Sequence, residues 1–141
     1  MSAPVRISEA ATLALHACFW LASSPGEYNP TRKICDDLQC SQAHLAKVVQ
    51  SLARAKLVES LRGPSGGVRL ASPASEITLL DIYKAIEGET SLMPGCLLPP
   101  SICPGRACTL GNAIYSLNRQ FVEMLGSTTL ETIRQEFEKS R

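Results

Sequence analysis

No charge of one sign dominates this chain: 14 Lys and Arg stand against 13 Asp and Glu, for a formal net charge of +1 over 141 residues. Nor is there an apolar run of transmembrane length, so no helix is expected to cross a bilayer. The apolar segment 13–22, preceded by Arg6, has the outline of an export signal, but Glu9 lies before it and His16 and Cys18 interrupt it. Ala10, Leu13, Ala14, Ala17 and Leu21 instead mark one face of an amphipathic helix, and a cytoplasmic location is expected. Catalytic furniture is scarce as well. With two histidines, no Cys-x-x-Cys, no Gly-rich nucleotide loop, and no Ser/His/Asp or paired-carboxylate setting, the chain does not read as an enzyme. Repeats and low-complexity tracts are also missing.

What is present is unevenly distributed. Residues 1–72 carry eight Lys/Arg against five Asp/Glu, a balance of +3, whereas residues 73–141 carry six against eight, a balance of −2. Within 41–69, Lys47, Arg54, Lys56, Arg62 and Arg69 face only Glu59, and a local basic excess of this kind suits a polyanionic partner. A chain of this length supports one modest core with an element left over for association.

The pattern predicts a helix over 8–22 capped by Ser8, then a second over 31–38 opened by Asn29 as cap and Pro30 as first helical residue. After the turn Gln39-Cys40, Ser41 caps a third helix. Its Leu45, Val48, Val49 and Leu52 follow i, i+3, i+4, i+7 and face inward, leaving Ala43, Ala46, Lys47, Gln50 and Arg54 outside. A surface of low bulk with cations at its flanks can approach base edges and phosphates in a major groove. A merely solvated helix face has the same composition, but the next segment favours DNA: Val58–Leu61 and Val68–Ala71 read as strands around the loop Arg62-Gly63-Pro64-Ser65-Gly66-Gly67. Arg62 at the base of this hairpin is placed to enter a minor groove.

Thr78, with Asp81 three residues on, forms a near capping box for a helix that buries Leu79, Ile82, Tyr83 and Ile86 and ends at Glu87-Gly88. The following loop holds Pro94, Gly95, Pro99, Pro100, Pro104 and Gly105, which preclude regular structure. From Thr109 the residues Leu110, Ile114, Leu117, Phe121 and Met124 are spaced 4, 3, 4, 3, a heptad seam. Such a helix, about 16 residues and roughly 24 Å long, carries a stripe best covered by a second copy. Gly126-Ser127 is expected to break it before a last helix over 128–139 built on Leu130, Ile133 and Phe137. The fold class expected is mainly α with a small β-hairpin wing: a winged helix-turn-helix over 1–88, a cysteine-bearing sensor loop over 89–108, and a dimerisation helix and C-terminal helix over 109–141.

Six cysteines remain to be placed. Cys96, Cys103 and Cys108 lie in the Pro/Gly loop with spacing C-x6-C-x4-C, and three soft thiolates on a loop can hold three corners of an iron–sulfur cluster. Structural zinc favours close pairs such as C-x2-C, so a cluster ranks ahead of zinc, and zinc ahead of bare thiols. A [2Fe–2S] and a [4Fe–4S] centre both stay open. Glu9 and His16 on the first helix are candidate fourth ligands, with an external small molecule or water as the alternative; His16 is equally a plain core or surface histidine. Cys18 reads as a small core residue. Cys35 and Cys40 flank the end of the second helix, as redox partners or alternative ligands.

Arg62-Gly63-Pro64-Ser65-Gly66-Gly67, the segment Glu76-Ile77-Thr78-Leu79-Leu80-Asp81-Ile82, the run Ala85-Ile86-Glu87-Gly88 and three cysteines before a long helix together resemble the Rrf-two family of winged-helix transcription regulators over nearly the whole chain. The resemblance implies a homodimer on an approximately palindromic double-stranded DNA operator, with the third helix in the major groove and the wing in the minor groove. It implies that Gln42, Ala43, His44, Ala46 and Lys47 approach bases or phosphates, that Arg62 is the wing arginine, and that the protein is a repressor sensing redox, nitric oxide or iron–sulfur status through the cysteine-held cluster; Arg54 on the outward face of the third helix and Ser65 in the wing loop are further candidate DNA contacts. Cluster-free members of the same family, which answer to a metabolite, thiol oxidation or a partner protein, provide the alternative. Four positions depart from the family pattern. Lys56 stands where relatives place a helix-ending glycine, Val68 replaces a tyrosine, and Gly111 and Thr12 occupy the places of the relatives' fourth ligands.

Overall fold

A computed structural model describes residues 7–89, 102 and 108–140. Among the described residues six helices and one hairpin follow in the order α1 (Glu9–Ala22), α2 (Thr31–Leu38), α3 (Gln42–Arg54), β1 (Val58–Leu61), β2 (Gly67–Leu70), α4 (Leu79–Glu87), α5 (Thr109–Ser127) and α6 (Leu130–Lys139). Side-chain caps start three of the helices where the sequence placed them. Ser8 accepts from the Ala11 amide, Ser41 from the His44 amide and Thr78 from the Asp81 amide, the last in a complete capping box.

Asn29 does something else. Helix α2 begins at Thr31 with no side-chain cap, and Asn29 is buried, its Nδ2 donating to the Glu27 carbonyl at 3.0 Å. Its backbone forms an isolated antiparallel bridge to Val68 of β2. The hairpin pairs Val58 with Leu70 and Leu61 with Gly67, so β2 spans 67–70 rather than the expected 68–71.

The core joins the elements that the hydrophobic spacing singled out. Leu13, Ala14, Ala17, Cys18 and Leu21 of α1 meet Ile34 of α2, Leu45, Val48 and Leu52 of α3, Val58 and Val68 of the hairpin, and Ile82 of α4. Leu130 of α6 is fully buried in the same cluster. The start of α6 is stitched to that of α4: the Leu79 amide donates to the Thr128 carbonyl at 2.9 Å and the Leu130 amide to the Ile77 carbonyl at 3.0 Å.

Helix α5 is longer than expected, 19 residues, and runs through Gly126 and Ser127. A Cβ on Gly126 would sit 3.3 Å from Leu80 Cδ2, so this glycine admits α4 rather than ending the helix. Thr128 Oγ1 then donates to the Met124 carbonyl at 2.8 Å, and α6 opens on Thr129. Cys96 and Cys103 lie outside the described residues.

Candidate nucleic-acid interface and thiol groups

Gln42, Ala43, Ala46, Lys47, Gln50 and Arg54 are all exposed on α3, opposite the buried Leu45, Val48, Val49 and Leu52. Beside them the wing presents exposed Arg62, Gly63, Pro64 and Ser65. An open groove of about 420 Å³ separates α3 from the wing, with Ala46 on one wall, Gly63 and Pro64 on the other and Thr31 and Arg32 of α2 at the end. Arg32 escaped the sequence reading. The available signal was a cation in the first turn of the helix preceding α3.

The wing's shape depends on two close approaches. A Cβ on Gly66 would lie 2.0 Å from the Leu61 carbonyl oxygen, and one on Gly67 would lie 2.2 Å from the Asn29 carbonyl oxygen. No other residue fits either place without moving backbone. The glycines therefore press the hairpin onto its own turn and onto the start of α2.

Cations on this side differ in their freedom. Arg69 donates through Nε and Nη2 to Glu59 Oε2, at 2.9 and 2.8 Å, through Nη1 to the Gly26 carbonyl at 3.3 Å, and lies over the Tyr28 ring at 4.5 Å. The Glu59 hydrogen bond raises its pKa. Among the described residues no ion pair engages Lys47, Arg54, Lys56 or Arg62. Those four make the local excess available to an outside anion.

His44 is half-buried and turned toward a second groove, about 470 Å³, where it joins Glu9, Thr12, His16 and Cys40. Both first-helix ligand candidates thus share one wall with the α2–α3 turn. The His16 Nδ1 lies 2.8 Å from the Thr12 carbonyl oxygen, which can only accept, so Nδ1 carries the proton and Nε2 keeps the lone pair of the neutral ring. Among the described residues no three His, Cys, Asp or Glu side chains converge as a metal site.

Cys108 is the described member of the loop trio. It is the N-cap of α5, its Sγ accepting from the Gly111 amide at 3.3 Å, and it is half-buried. A soft sulfur at a helix N-terminus, where partial positive charge favours an anion, suits a cluster-bound thiolate. Gly111 is itself buried. Cys18 is different: burial pushes its thiol up to about 12, which makes it a core residue.

The seam on α5 is only half covered. Leu110, Leu117 and Met124, seven residues apart in turn, are 59%, 61% and 50% exposed. Ile114 and Phe121 are half-buried, Phe121 packing edge-on against Tyr83 of α4 with ring centroids 5.6 Å apart.

Residues 7–136 match the family model described as Rrf2, "Iron-dependent Transcriptional regulator". BadM of Rhodopseudomonas palustris is 40% identical over 84 residues, 60% of this chain and 54% of BadM. The HTH-type transcriptional regulator NsrR of Oceanobacillus iheyensis is 33% identical over 109 residues, covering 72% of this chain and 70% of NsrR. Among solved structures, CymR (YrzC), the global cysteine regulator of B. subtilis, superposes with a TM-score of 0.77 at 27% identity over 94% of this chain and 98% of CymR. IscR of T. potens gives the same TM-score at 21% identity, covering 98% of this chain and 92% of IscR, a likeness of fold alone.

Proposed function

Because the chain belongs to the Rrf2 family of transcriptional regulators, and is by that membership a regulator rather than an enzyme, we propose that two copies pair through α5 and grip an approximately palindromic DNA operator as a repressor, with Cys96, Cys103 and Cys108 holding an iron–sulfur cluster that reports redox, nitric oxide or iron–sulfur status. One observation carries the reading. The exposed line Leu110–Leu117–Met124 lies on the helix that Cys108 caps, so a thiol ligand and the pairing surface share one rigid rod.

Pairing along that rod fixes the distance between two α3 helices, and half-site spacing follows from it. Gln42, Ala43 and Lys47 then address the major groove, with Arg54 on the phosphates. Arg62 and Ser65 address the minor groove. His44 contributes from the α1 side, where Glu9 and His16 are the candidates to complete the cluster ligands. A bound cluster supplies a centre open to oxidation, nitrosylation and loss. What the chain adds is the coupling: ligation at Cys108, the cap of α5, sets the start of that helix and with it the angle between protomers. A tenfold change in operator affinity takes only about 1.4 kcal/mol.

A cluster-free regulator answering to a metabolite, thiol oxidation or a partner protein is the second reading. The likeness to CymR and the buried Gly111, at a family ligand position, favour it. Anaerobic purification separates the two. The cluster reading expects brown protein containing iron and sulfide, lost on Cys96→Ala, Cys103→Ala or Cys108→Ala with a change in duplex binding. Colourless protein whose duplex binding ignores all three substitutions overturns it.

A further inference from the structure

Cys35 and Cys40 meet across the turn joining α2 to α3. The Cys40 thiol donates to Cys35 Sγ at 3.5 Å, and the Cys40 amide donates to the Cys35 carbonyl at 3.1 Å. Between them Gln39 takes a left-handed conformation, φ +51°, which turns the chain back on itself. Cys35 is buried beside Ile34 in the core, whereas Cys40 is half-buried and lines the groove that opens at His16 and His44. Neither thiol belongs to the loop trio or to the exposed face of α3.

We propose that Cys35 and Cys40 form a peroxide-responsive dithiol whose closure to a disulfide displaces the start of α3. Access gives Cys40 the first step. Its thiolate attacks a hydroperoxide oxygen, the O–O bond breaks, and an alcohol or water leaves, so that Cys40 is oxidised by two electrons to a sulfenic acid while the peroxide is reduced. Cys35 Sγ then attacks the Cys40 sulfur and gives up its proton; hydroxide is displaced, takes that proton and departs as water, and the Sγ–Sγ bond remains. Two thiols and one hydroperoxide become one disulfide, one alcohol and one water. Burial, then the Cys40 hydrogen bond, push the Cys35 thiol up to about 11, in keeping with its acting second.

A disulfide of about 2.05 Å requires the sulfurs to close by about 1.5 Å. Cys35 is clamped in the core, so the movement falls on Cys40 and on Ser41, whose hydroxyl caps α3 at the His44 amide. If α3 reads DNA as proposed above, Gln42 and Ala43 shift with it.

The test uses the full chain, reduced anaerobically, exposed to hydrogen peroxide, alkylated and cut with trypsin. Residues 34–47 form one tryptic peptide holding both thiols. The expected peptide is two hydrogen atoms lighter and unalkylated, reverts with dithiothreitol, and is not formed by Cys40→Ser. Amides 40–44 of the oxidised wild type exchange hydrogen faster, and those of oxidised Cys40→Ser do not. On a duplex selected by the reduced protein from a random pool, oxidation weakens binding about tenfold, reversibly. The proposal falls if both thiols still alkylate, if Cys40 is found bridged to Cys96, Cys103 or Cys108, or if the bridge forms while exchange at 40–44 is unchanged. A reduced protein that selects no duplex overturns the DNA reading instead, and the peptide and exchange results still decide the dithiol.

Discussion

Asn29 and Val68 exchange both main-chain hydrogen bonds, the Asn29 amide donating at 2.9 Å and the Val68 amide at 2.8 Å. Strand β2 is thereby paired on two sides, with β1 along one edge and with the residue before Pro30 along the other. This bridge ties the wing directly to the start of α2. The wing and the α3 face consequently hold a fixed relation to each other, as the proposed contact with two grooves at once would require.

Gly67→Ala tests that link. At φ +153° the new Cβ would lie 2.2 Å from the Asn29 carbonyl oxygen, and backbone on both sides leaves nothing to swing away. A loss of about 3 kcal/mol in urea unfolding is expected, together with loss of duplex binding. Gly63→Ala is the control: its φ of +113° is also unfavourable to a side chain, but nothing lies within 4 Å. It should cost only the backbone strain, about 1 kcal/mol. Equal losses at the two positions would refute the role given to the bridge.

Lys47 and Arg62 should behave differently from Arg69. The first two have no ion-pair partner among the described residues, so Lys47→Ala and Arg62→Ala should each weaken duplex binding, and each should flatten the plot of log affinity against log salt by about one unit where the cation lies against a phosphate at the edge of its groove. Arg69 is already spent on Glu59, Gly26 and Tyr28, so Arg69→Ala should loosen the hairpin and leave the slope alone. A slope that answers to Arg69 and ignores the other two would remove both assignments.

What the sequence made legible was local. Caps at Ser8, Ser41 and Thr78, and the inward residues of α3, depend on neighbours within one turn, and each appears in the structure as spacing predicted. Asn29 misled because its backbone partner is Val68, far along the chain, and no local pattern encodes that pairing. Gly126 misled in the same way: a glycine that looks like a helix end is a contact surface for Leu80. The grouping of Glu9, His16, Cys40 and His44 around one groove is likewise tertiary, and so is the thiol contact of Cys35 with Cys40, which needs the left-handed turn at Gln39. The α5 seam was visible as a heptad, but which half of it α4 covers was not.

Leu117→Glu should separate the protomers without unfolding them. Leu117 is 61% exposed, so within one chain a carboxylate there meets water, whereas in a paired seam it would be buried without a partner. Sedimentation is expected to show a monomer with an unchanged circular-dichroism spectrum. Leu125→Glu, at a buried position of α5, should instead lower the unfolding midpoint. A Leu117→Glu protein that sediments like wild type would defeat pairing through this face.

Lys56 stands where a glycine belongs. Its φ is +60°, its amide donates to the Ala53 carbonyl at 2.9 Å, and the Leu57 amide donates to the Leu52 carbonyl at 2.9 Å, the paired bonds of a Schellman cap at the end of α3. A side chain in the left-handed region costs roughly 1–2 kcal/mol, part of which glycine returns through the greater freedom of its unfolded state. Lys56→Gly should therefore raise the urea midpoint by an amount worth about 0.5–1 kcal/mol at unchanged m-value. Lys56→Asn, which tolerates the same conformation, should be neutral or slightly stabilising, and Lys56→Val should destabilise because branching at Cβ worsens the clash. A lower midpoint for the glycine variant would mean that the lysine side chain supports the end of α3 by a contact that outweighs the strain of its backbone.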